Sequence, residues 1–206
     1  MMILLCLLPA VAQESSVAVV ARVSDILGEV DSDLDLDYGD LWGTGLGMSI
    51  ESDVLYSLRG GPWRLGGYVS AGFDVFQGDE AHDELGDILQ ADNLTTAHLL
   101  LGFKVALASE RGFFFDGRAG VGPVLWLETE GELRAGGPPS DVEIFSSTFA
   151  FGAEFASHVG FATRGVIFSL GFAFRGQTAP DSADLDFDGL GPALVASVEA
   201  QIVFRF

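Results

Sequence analysis

The sequence predicts an all-β protein, an eight-stranded antiparallel up-and-down transmembrane β-barrel. Two patterns indicate this fold: apolar residues alternate with small or polar ones through eight segments, and the connections between those segments alternate between short and long. The composition agrees, because 49% of the 206 residues are apolar and only 19% are charged, below the roughly 25% usual for soluble domains. The length corresponds to one domain.

The alternation is clearest at the C-terminal end, where one face of Ser197–Phe206 is apolar. That face consists of Val198, Ala200, Ile202, Phe204 and Phe206. Such a period of two is typical of a strand that separates two different environments. The other predicted strands are Ser16–Leu27, Leu41–Tyr56, Arg64–Gln77, His98–Ala108, Phe113–Glu130, Thr148–His158 and Gly165–Arg175.

Two positions within these strands carry specific expectations. We place Trp42 on the same apolar face as Leu46 and Met48, because all three occupy even positions of one segment. Pro123 has no backbone N–H to donate, and a closed sheet has no edge at which this is harmless, so we expect a β-bulge there.

The connections predict how the strands are arranged. The short ones are Leu58–Arg64, Ser109–Gly112 and Val159–Gly165, and the long ones are Gly28–Asp40, Gly78–Asn93, Gly131–Asp141 and Gly176–Gly191. An up-and-down meander places the short turns and both termini at one end and the long loops at the other. Helical spans are excluded, because uncharged runs such as Asn93–Phe103 reach only eleven residues and a spanning helix needs about 18.

Alternation alone does not tell whether the apolar stripes face lipid or a core, and a soluble lipocalin-like barrel is the alternative. The opposite stripes are rich in Gly, Ser and Ala, which suit a narrow interior. Their charges also nearly balance, as buried charges require. The predicted inward charges are Arg22, Lys104, Arg118, Arg175 and Arg205 against Glu51, Asp74, Glu128, Glu154 and Glu199. We therefore expect the apolar stripes to face lipid.

The chain ends in Phe204-Arg205-Phe206, a final strand that closes on an aromatic residue. With the eight-strand pattern, this resembles the small outer-membrane β-barrels of Gram-negative bacteria, the OmpA-, OmpX- and OmpW-like, porin-family-like proteins. The resemblance implies a location in the outer membrane, contact with its lipids and lipopolysaccharide, and recognition by the β-barrel assembly machinery through Phe204 and Phe206. The chain departs from the pattern in having Gln201 where a glycine is often found.

The N-terminal segment, residues 1–12, is almost wholly apolar and ends in Ala10-Val11-Ala12. This small-x-small pattern indicates a secretory signal peptide cleaved before Gln13, although a positively charged start is missing. Residues 13–206 then form the barrel domain. The single cysteine, Cys6, lies in the signal segment, so the barrel contains no disulfide.

The charge is strongly negative and unevenly distributed. The chain carries 30 acidic and 10 basic residues, a net charge of −20, which excludes nucleic acid as a partner. Of the acidic residues, 21 lie in the four long loops and their strand-end flanks. Two runs within them could hold Ca²⁺, which prefers carboxylate oxygens. These runs are Asp31, Asp33 and Asp35, and Asp184, Asp186 and Asp188.

The second acidic run resembles the opening of an EF-hand, but its twelfth position is Val195 instead of glutamate. We expect no EF-hand, and we prefer solvated acidic loops to the loose Ca²⁺ site. No other cofactor is indicated. The histidines are His82, His98 and His158, and no Ser–His–acid set converges on them.

The sequence therefore predicts a non-enzymatic outer-membrane barrel with a structural or surface-interaction role. A narrow OmpW-like conduit for small or hydrophobic solutes is the alternative, and a soluble lipocalin-like binder is a third possibility.

Overall fold

The computed structural model describes residues 13–31, 36–58, 61–82, 88–108, 112–134, 137–163, 165–180 and 191–206. The predicted signal segment, residues 1–12, which contains Cys6, lies outside these residues. In chain order the elements are β1 (Gln13–Leu27), β2 (Glu29–Asp31), β3 (Leu36–Asp37), α1 (Tyr38–Leu41), β4 (Trp42–Ser57), β5 (Trp63–Gly78), β6 (Glu80–His82), β7 (Ile88–Ala91), β8 (Leu94–Ala108), β9 (Phe113–Trp126), β10 (Thr129–Arg134), β11 (Ser140–Phe145), β12 (Thr148–Ala162), β13 (Val166–Gln177) and β14 (Ala193–Arg205).

Eight long strands form a closed antiparallel barrel. The order around the barrel is β1-β4-β5-β8-β9-β12-β13-β14, and β14 pairs with β1 to close it. Each strand of the barrel thus neighbours the next one along the chain, with pairs such as Val17 with Phe204 at the closure. The predicted eight-stranded meander is confirmed. No helix in the described part of the chain is long and apolar enough to cross a membrane.

The apolar stripes face outward. Phe103, Phe149 and Phe161 are more than 70% exposed, whereas the alternate positions carry charged side chains such as Arg118 and Glu199 that are at most 1% exposed. Every large apolar residue in the predicted stripe of β14 follows the same rule. This orientation confirms the lipid-facing prediction and contradicts the soluble lipocalin-like alternative, in which the apolar face would point inward.

The long connections form structure of their own at one end of the barrel, which we call the loop end. The opposite end, where Gln13 and Phe206 lie, is the terminal end. A four-stranded sheet of order β11-β10-β7-β6 and the β2–β3 pair lie at the loop end. The predicted strand Phe113–Glu130 therefore ends at Trp126, and Thr129 begins β10 in this smaller sheet.

The Trp42 prediction is wrong, because this side chain is buried inside the barrel mouth and only 1% exposed. The register between β4 and β5 shifts between Trp42 and Gly45. Because of this irregularity, inward and outward positions do not alternate regularly between Trp42 and Gly45. Trp42 therefore points inward although Leu46 and Met48 point outward. A one-residue irregularity reverses the facing of every residue beyond it.

The bulge expected at Pro123 is also absent. Pro123 pairs in regular register with Phe151 of β12. On the β8 side, pairing is recorded from Val124 to His98 and again from Val121 to Leu101, with the same register on both sides of the proline. The strand therefore accommodates the missing N–H by omitting two pairs instead of inserting a residue.

Of the predicted inward charges, Glu128 lies elsewhere, whereas Arg205 points inward at the mouth of the barrel. Glu128 is exposed in the connection between β9 and β10. Arg205 is partly exposed at the terminal end, where its guanidinium lies 5.8 Å from the ring centre of Phe114. Glu128 lies beyond the end of β9, where the alternating pattern no longer determines which side is enclosed.

Candidate functional site

The barrel interior contains a continuous ion-pair network, and Arg118 is at its centre. Arg118 lies at an inward position of β9, where its side chain is only 1% exposed. Its Nη2 donates to Glu199 Oε2 at 2.8 Å and its Nε donates to Glu154 Oε1 at 3.3 Å. Arg118 Nη1 also contacts Glu51. One cation thus pairs with three carboxylates, all of them buried.

Two further arginines continue the network toward the loop end. Arg22 lies 3.5 Å from Glu199 and 3.6 Å from Asp74. Arg175 donates to Asp74 and to His98 Nδ1, the latter at 2.9 Å. Because His98 Nδ1 accepts this bond, the ring carries its proton on Nε2 and is neutral. On this side of the network the positive charges are therefore those of Arg22 and Arg175, because arginine stays protonated when buried.

Gly47 makes this arrangement possible. A Cβ atom at Gly47 would lie 2.0 Å from Asp74 Oδ1 and 2.9 Å from Arg22 Cγ. The absence of a side chain therefore lets the arginine and the carboxylate meet in a narrow interior. This explains one of the inward glycines that the sequence pattern displayed, and it fits the small residues expected inside an eight-stranded barrel.

His158 links the network to its terminal end. Its Nδ1 lies 2.9 Å from Asp116 Oδ1 and its Nε2 lies 2.9 Å from Glu199 Oε2. Two carboxylates accept from both ring nitrogens only when both carry protons, so this geometry fits the imidazolium. Lys104 then bonds Asp53 at 2.9 Å, and Ser16 donates to the same carboxylate at 2.6 Å.

An aromatic cap closes the loop end of the barrel. It consists of Tyr38, Trp42, Trp126 and Phe145, whose ring centres lie 5.3 to 6.2 Å apart in the five recorded pairs. All four side chains are at most 1% exposed, and burial raises the pKa of the Tyr38 phenol above its ordinary value. Tyr38 comes from α1, so a segment of the first long connection supplies part of the seal.

A smaller apolar cluster closes the terminal end. It consists of Ala18, Leu55, Ala106, Phe114, Ile167 and Val203. The interior is therefore layered, with an ion-pair network between two apolar plugs. Among the described residues, the cavity that this cluster borders at the terminal end, next to Lys104 and Asp53, has a volume of about 20 Å³, which leaves room for about one water molecule and not for a hydrated ion.

The loop end presents an acidic surface. In the four-stranded sheet, Glu80 pairs with Gln90, which pairs with Glu132, which pairs with Asp141, so three acids line one row. Arg134 is bonded to Glu132 at 2.6 Å. Like charges in adjacent strands destabilise a sheet, so this row is held in place by packing on the opposite face, which contributes Ala81, Leu89, Ala91 and Ile144 to the buried cluster.

The predicted Ca²⁺ ligands cannot be assembled from the described residues. Asp33, Asp35, Asp184, Asp186 and Asp188 lie outside them, and Asp31 is described only as the last backbone position of β2. Among the residues that are described, no group of three or more His, Cys, Asp or Glu side chains is placed to hold a metal ion. The loose Ca²⁺ site remains a prediction.

Sequence reasoning placed Arg22, Lys104, Arg118 and Arg175 correctly, and it missed two interior acids, Asp53 and Asp116. Both were detectable. Asp53 follows Glu51 at the inward spacing of β4, and Asp116 precedes Arg118 at the inward spacing of β9. Which of these charges pair with each other could not have been predicted from the sequence, because cross-barrel contacts depend on the stagger of the strands.

No family model and no curated protein matches this chain. Among solved structures, the chain is similar to the Yersinia pestis attachment invasion locus protein Ail, with 12% identity, a TM-score of 0.42 and coverage of 94% of this chain and 99% of Ail. It is similar to the outer membrane enzyme PagL, with 14% identity, a TM-score of 0.49 and coverage of 89% and 97%. It is also similar to the outer membrane protease OmpT of Escherichia coli, with 9% identity, a TM-score of 0.45 and coverage of 94% and 96%.

The chain forms the closed eight-stranded antiparallel barrel that the resemblance of its sequence predicted. Identities of this size concern the fold alone. The expectation that the protein is not an enzyme, which rested on the absence of a Ser–His–acid motif, is corrected, because the structures to which the chain is similar include the enzymes PagL and OmpT. The missing linear motif was a poor criterion, since catalytic groups are brought together by geometry and not by sequence spacing.

Proposed function

We propose that this chain is an integral protein of the outer membrane of a Gram-negative bacterium and that it acts through its acidic external surface. The observation that carries the proposal is the sealed interior: the aromatic cap and the terminal cluster of apolar residues enclose an ion-pair network. A barrel filled in this way supports interaction at its surface better than transport through its centre. The narrow conduit is therefore the weaker candidate.

The orientation of the barrel in the membrane is inferred from the lengths of the connections at its two ends. Short turns and both termini face the periplasm in bacterial outer-membrane barrels, and long connections face outward. The acidic sheet would then be extracellular, in contact with the lipopolysaccharide layer. At the periplasmic end Phe206 is exposed, and its N–H donates to Ser15 at 2.9 Å. This leaves Phe204 and Phe206 available for the assembly machinery.

The first test is insertion. The full chain should fractionate with the outer membrane and should migrate faster on a gel before boiling than after, because a closed barrel resists detergent at room temperature. Recovery in the soluble fraction without detergent would contradict the proposal.

The second test separates the surface role from the conduit. In planar lipid bilayers, we expect the purified folded protein to give no steady current, because both ends of the lumen are filled by buried side chains. A steady ohmic current, reproduced after repurification, would contradict the sealed interior and favour the conduit.

A further inference from the structure

The imidazole of His98 has a donor inside the barrel that the ion-pair network does not use. Its Nδ1 accepts a hydrogen bond from Arg175, so the ring proton is on Nε2. The side chain is fully buried, and Nε2 has no hydrogen-bond partner among the described residues. A buried donor without a partner destabilises a protein, so this N–H group requires one.

Two serine hydroxyls on neighbouring strands are in the same condition. Ser49 on β4 and Ser70 on β5 occupy inward positions and are 3% and 1% exposed. Neither Oγ has a hydrogen-bond partner among the described residues. The other buried serines of the described barrel strands are bonded to protein groups, namely Ser16, Ser24, Ser169 and Ser197. The exception is therefore confined to the two serines nearest to His98.

Gly72 brings these three groups together. It pairs with Ser49 on one side and with His98 on the other, so three consecutive strands hold these residues at one level of the lumen. A Cβ atom at Gly72 would lie 2.6 Å from Ser49 Cβ and 2.9 Å from His98 Cε1, the ring atom bonded to Nε2. Ser70 is the next inward residue of β5 toward the terminal end. The missing side chain of Gly72 thus lets a hydroxyl and the imidazole edge face each other.

The chemistry of the three groups selects the ligand. His98 Nε2–H only donates, whereas each serine hydroxyl both donates and accepts. The ligand must therefore accept from the imidazole and bond two hydroxyls. All three groups are neutral, which excludes a buried ion, because such an ion needs a charged partner. A buried water molecule makes about three hydrogen bonds to groups that have no other partner, and three such groups are present.

We propose that one structural water molecule is bound between His98 Nε2, Ser49 Oγ and Ser70 Oγ. It accepts from His98 and is hydrogen-bonded to both hydroxyls, which holds the neutral imidazole with Nδ1 toward Arg175. The water thereby connects β4 and β5 to the arginine of β13 across the lumen. This site does not depend on the proposed function, since it concerns only the interior of the barrel.

The direct test is a crystal structure of the full chain at a resolution that shows ordered water. We expect one solvent peak at hydrogen-bond distance, about 2.7–3.2 Å, from His98 Nε2 and from the hydroxyls of Ser49 and Ser70. A structure with no peak at this position, or with Ser49 Oγ bonded directly to His98 Nε2, would overturn the proposed site.

Two substitutions at Ser49 separate the water from the serine. S49A removes one hydroxyl but leaves the water its other two partners, so the solvent peak and the resistance to urea in lipid vesicles should be retained. S49V fills the position of the water and should lower the ratio of folded to unfolded protein about tenfold, because the His98 N–H then has no partner. The control S52V changes an exposed, outward serine of the same strand and should behave like the unchanged protein. Equal losses in S49A and S49V would show that Ser49 itself satisfies His98.

The same pair of substitutions at Ser70 keeps the test independent of the folding of one variant. Each variant is first checked for the gel shift on boiling, which shows that the barrel has formed. S70A should retain the solvent peak and S70V should lose it. A peak that persists in both S49V and S70V would overturn the proposed site, because the water would then be bound elsewhere.

Discussion

Replacing Arg118 by methionine is expected to destabilise the barrel by about 3–5 kcal/mol, the usual cost of removing one partner from a buried ion pair. The substitution retains most of the volume of the side chain but removes the cation that pairs with Glu51, Glu154 and Glu199. Arg22 is too distant to replace it, since its contacts with Glu154 and Glu199 are 3.7 and 3.5 Å. Among the described residues, Glu154 would keep Arg22 and Arg175, and Glu199 would keep Arg22 and His158. Glu51 would lose its paired cation and keep the amide of Gln201.

The measurement is urea unfolding of the protein in lipid vesicles. The folded fraction at each urea concentration is the fraction that still migrates faster on a gel before boiling than after. R134M is the matched control, because Arg134 forms only an exposed pair with Glu132 and such pairs contribute about 0.2–1 kcal/mol. Adding E199Q to R118M should recover part of the loss, since it removes one uncompensated charge. A free energy of unfolding for R118M within 1 kcal/mol of the unchanged protein would show that the network does not stabilise the fold.

Replacing Trp126 by alanine is expected to cost about 3–5 kcal/mol, as for other fully buried tryptophans. Trp126 contacts Tyr38 and Phe145 in the aromatic cap, with ring centres 5.8 and 5.9 Å away. Its Nε1 has no hydrogen-bond partner among the described residues. The effect of W126A therefore reports packing alone, and the aromatic cap should loosen around the cavity.

The comparison with Trp42 separates packing from hydrogen bonding. Trp42 Nε1 donates to the backbone oxygen of Asp92 at 2.9 Å, so W42F should cost more than W126F by the value of one hydrogen bond, about 0.5–1.5 kcal/mol. W63A is the control, because Trp63 is exposed on the outer surface and lipid fills the space it leaves. Urea unfolding in vesicles measures all four variants. A larger loss in W63A than in W126A would contradict the aromatic cap as a packed core.

The barrel was predictable from the sequence because a strand between lipid and a narrow interior must alternate strictly. Arg118 and Arg175 were assigned inward from spacing alone, and the structure places them there. The exception at Trp42 arises from an irregularity in the pairing of β4 with β5. No residue in this segment indicates that irregularity in the sequence. Pattern reasoning thus succeeds where one rule governs a whole strand and fails where the register changes.

The structure at the loop end could not be predicted in the same way. The four-stranded sheet is built from strands of three to six residues, of which β6 and β7 come from one predicted loop and β10 and β11 surround another. Such short strands are stable only because their inner faces pack on the aromatic cap. The cap itself joins residues from three distant stretches of the chain, so it depends on strand stagger that the sequence does not display.

The orientation of the barrel surface supports every other inference, and cysteine reactivity tests it most directly. With Cys6 replaced by serine, single cysteines are introduced at the outward positions Leu101 and Phe172 and at the inward positions Ser70 and Ser197. A thiol reagent confined to the hydrocarbon of lipid vesicles should modify L101C and F172C in the folded protein and should reach S70C and S197C only after unfolding. Modification of the two inward positions from the lipid phase, with L101C and F172C protected, would contradict the account.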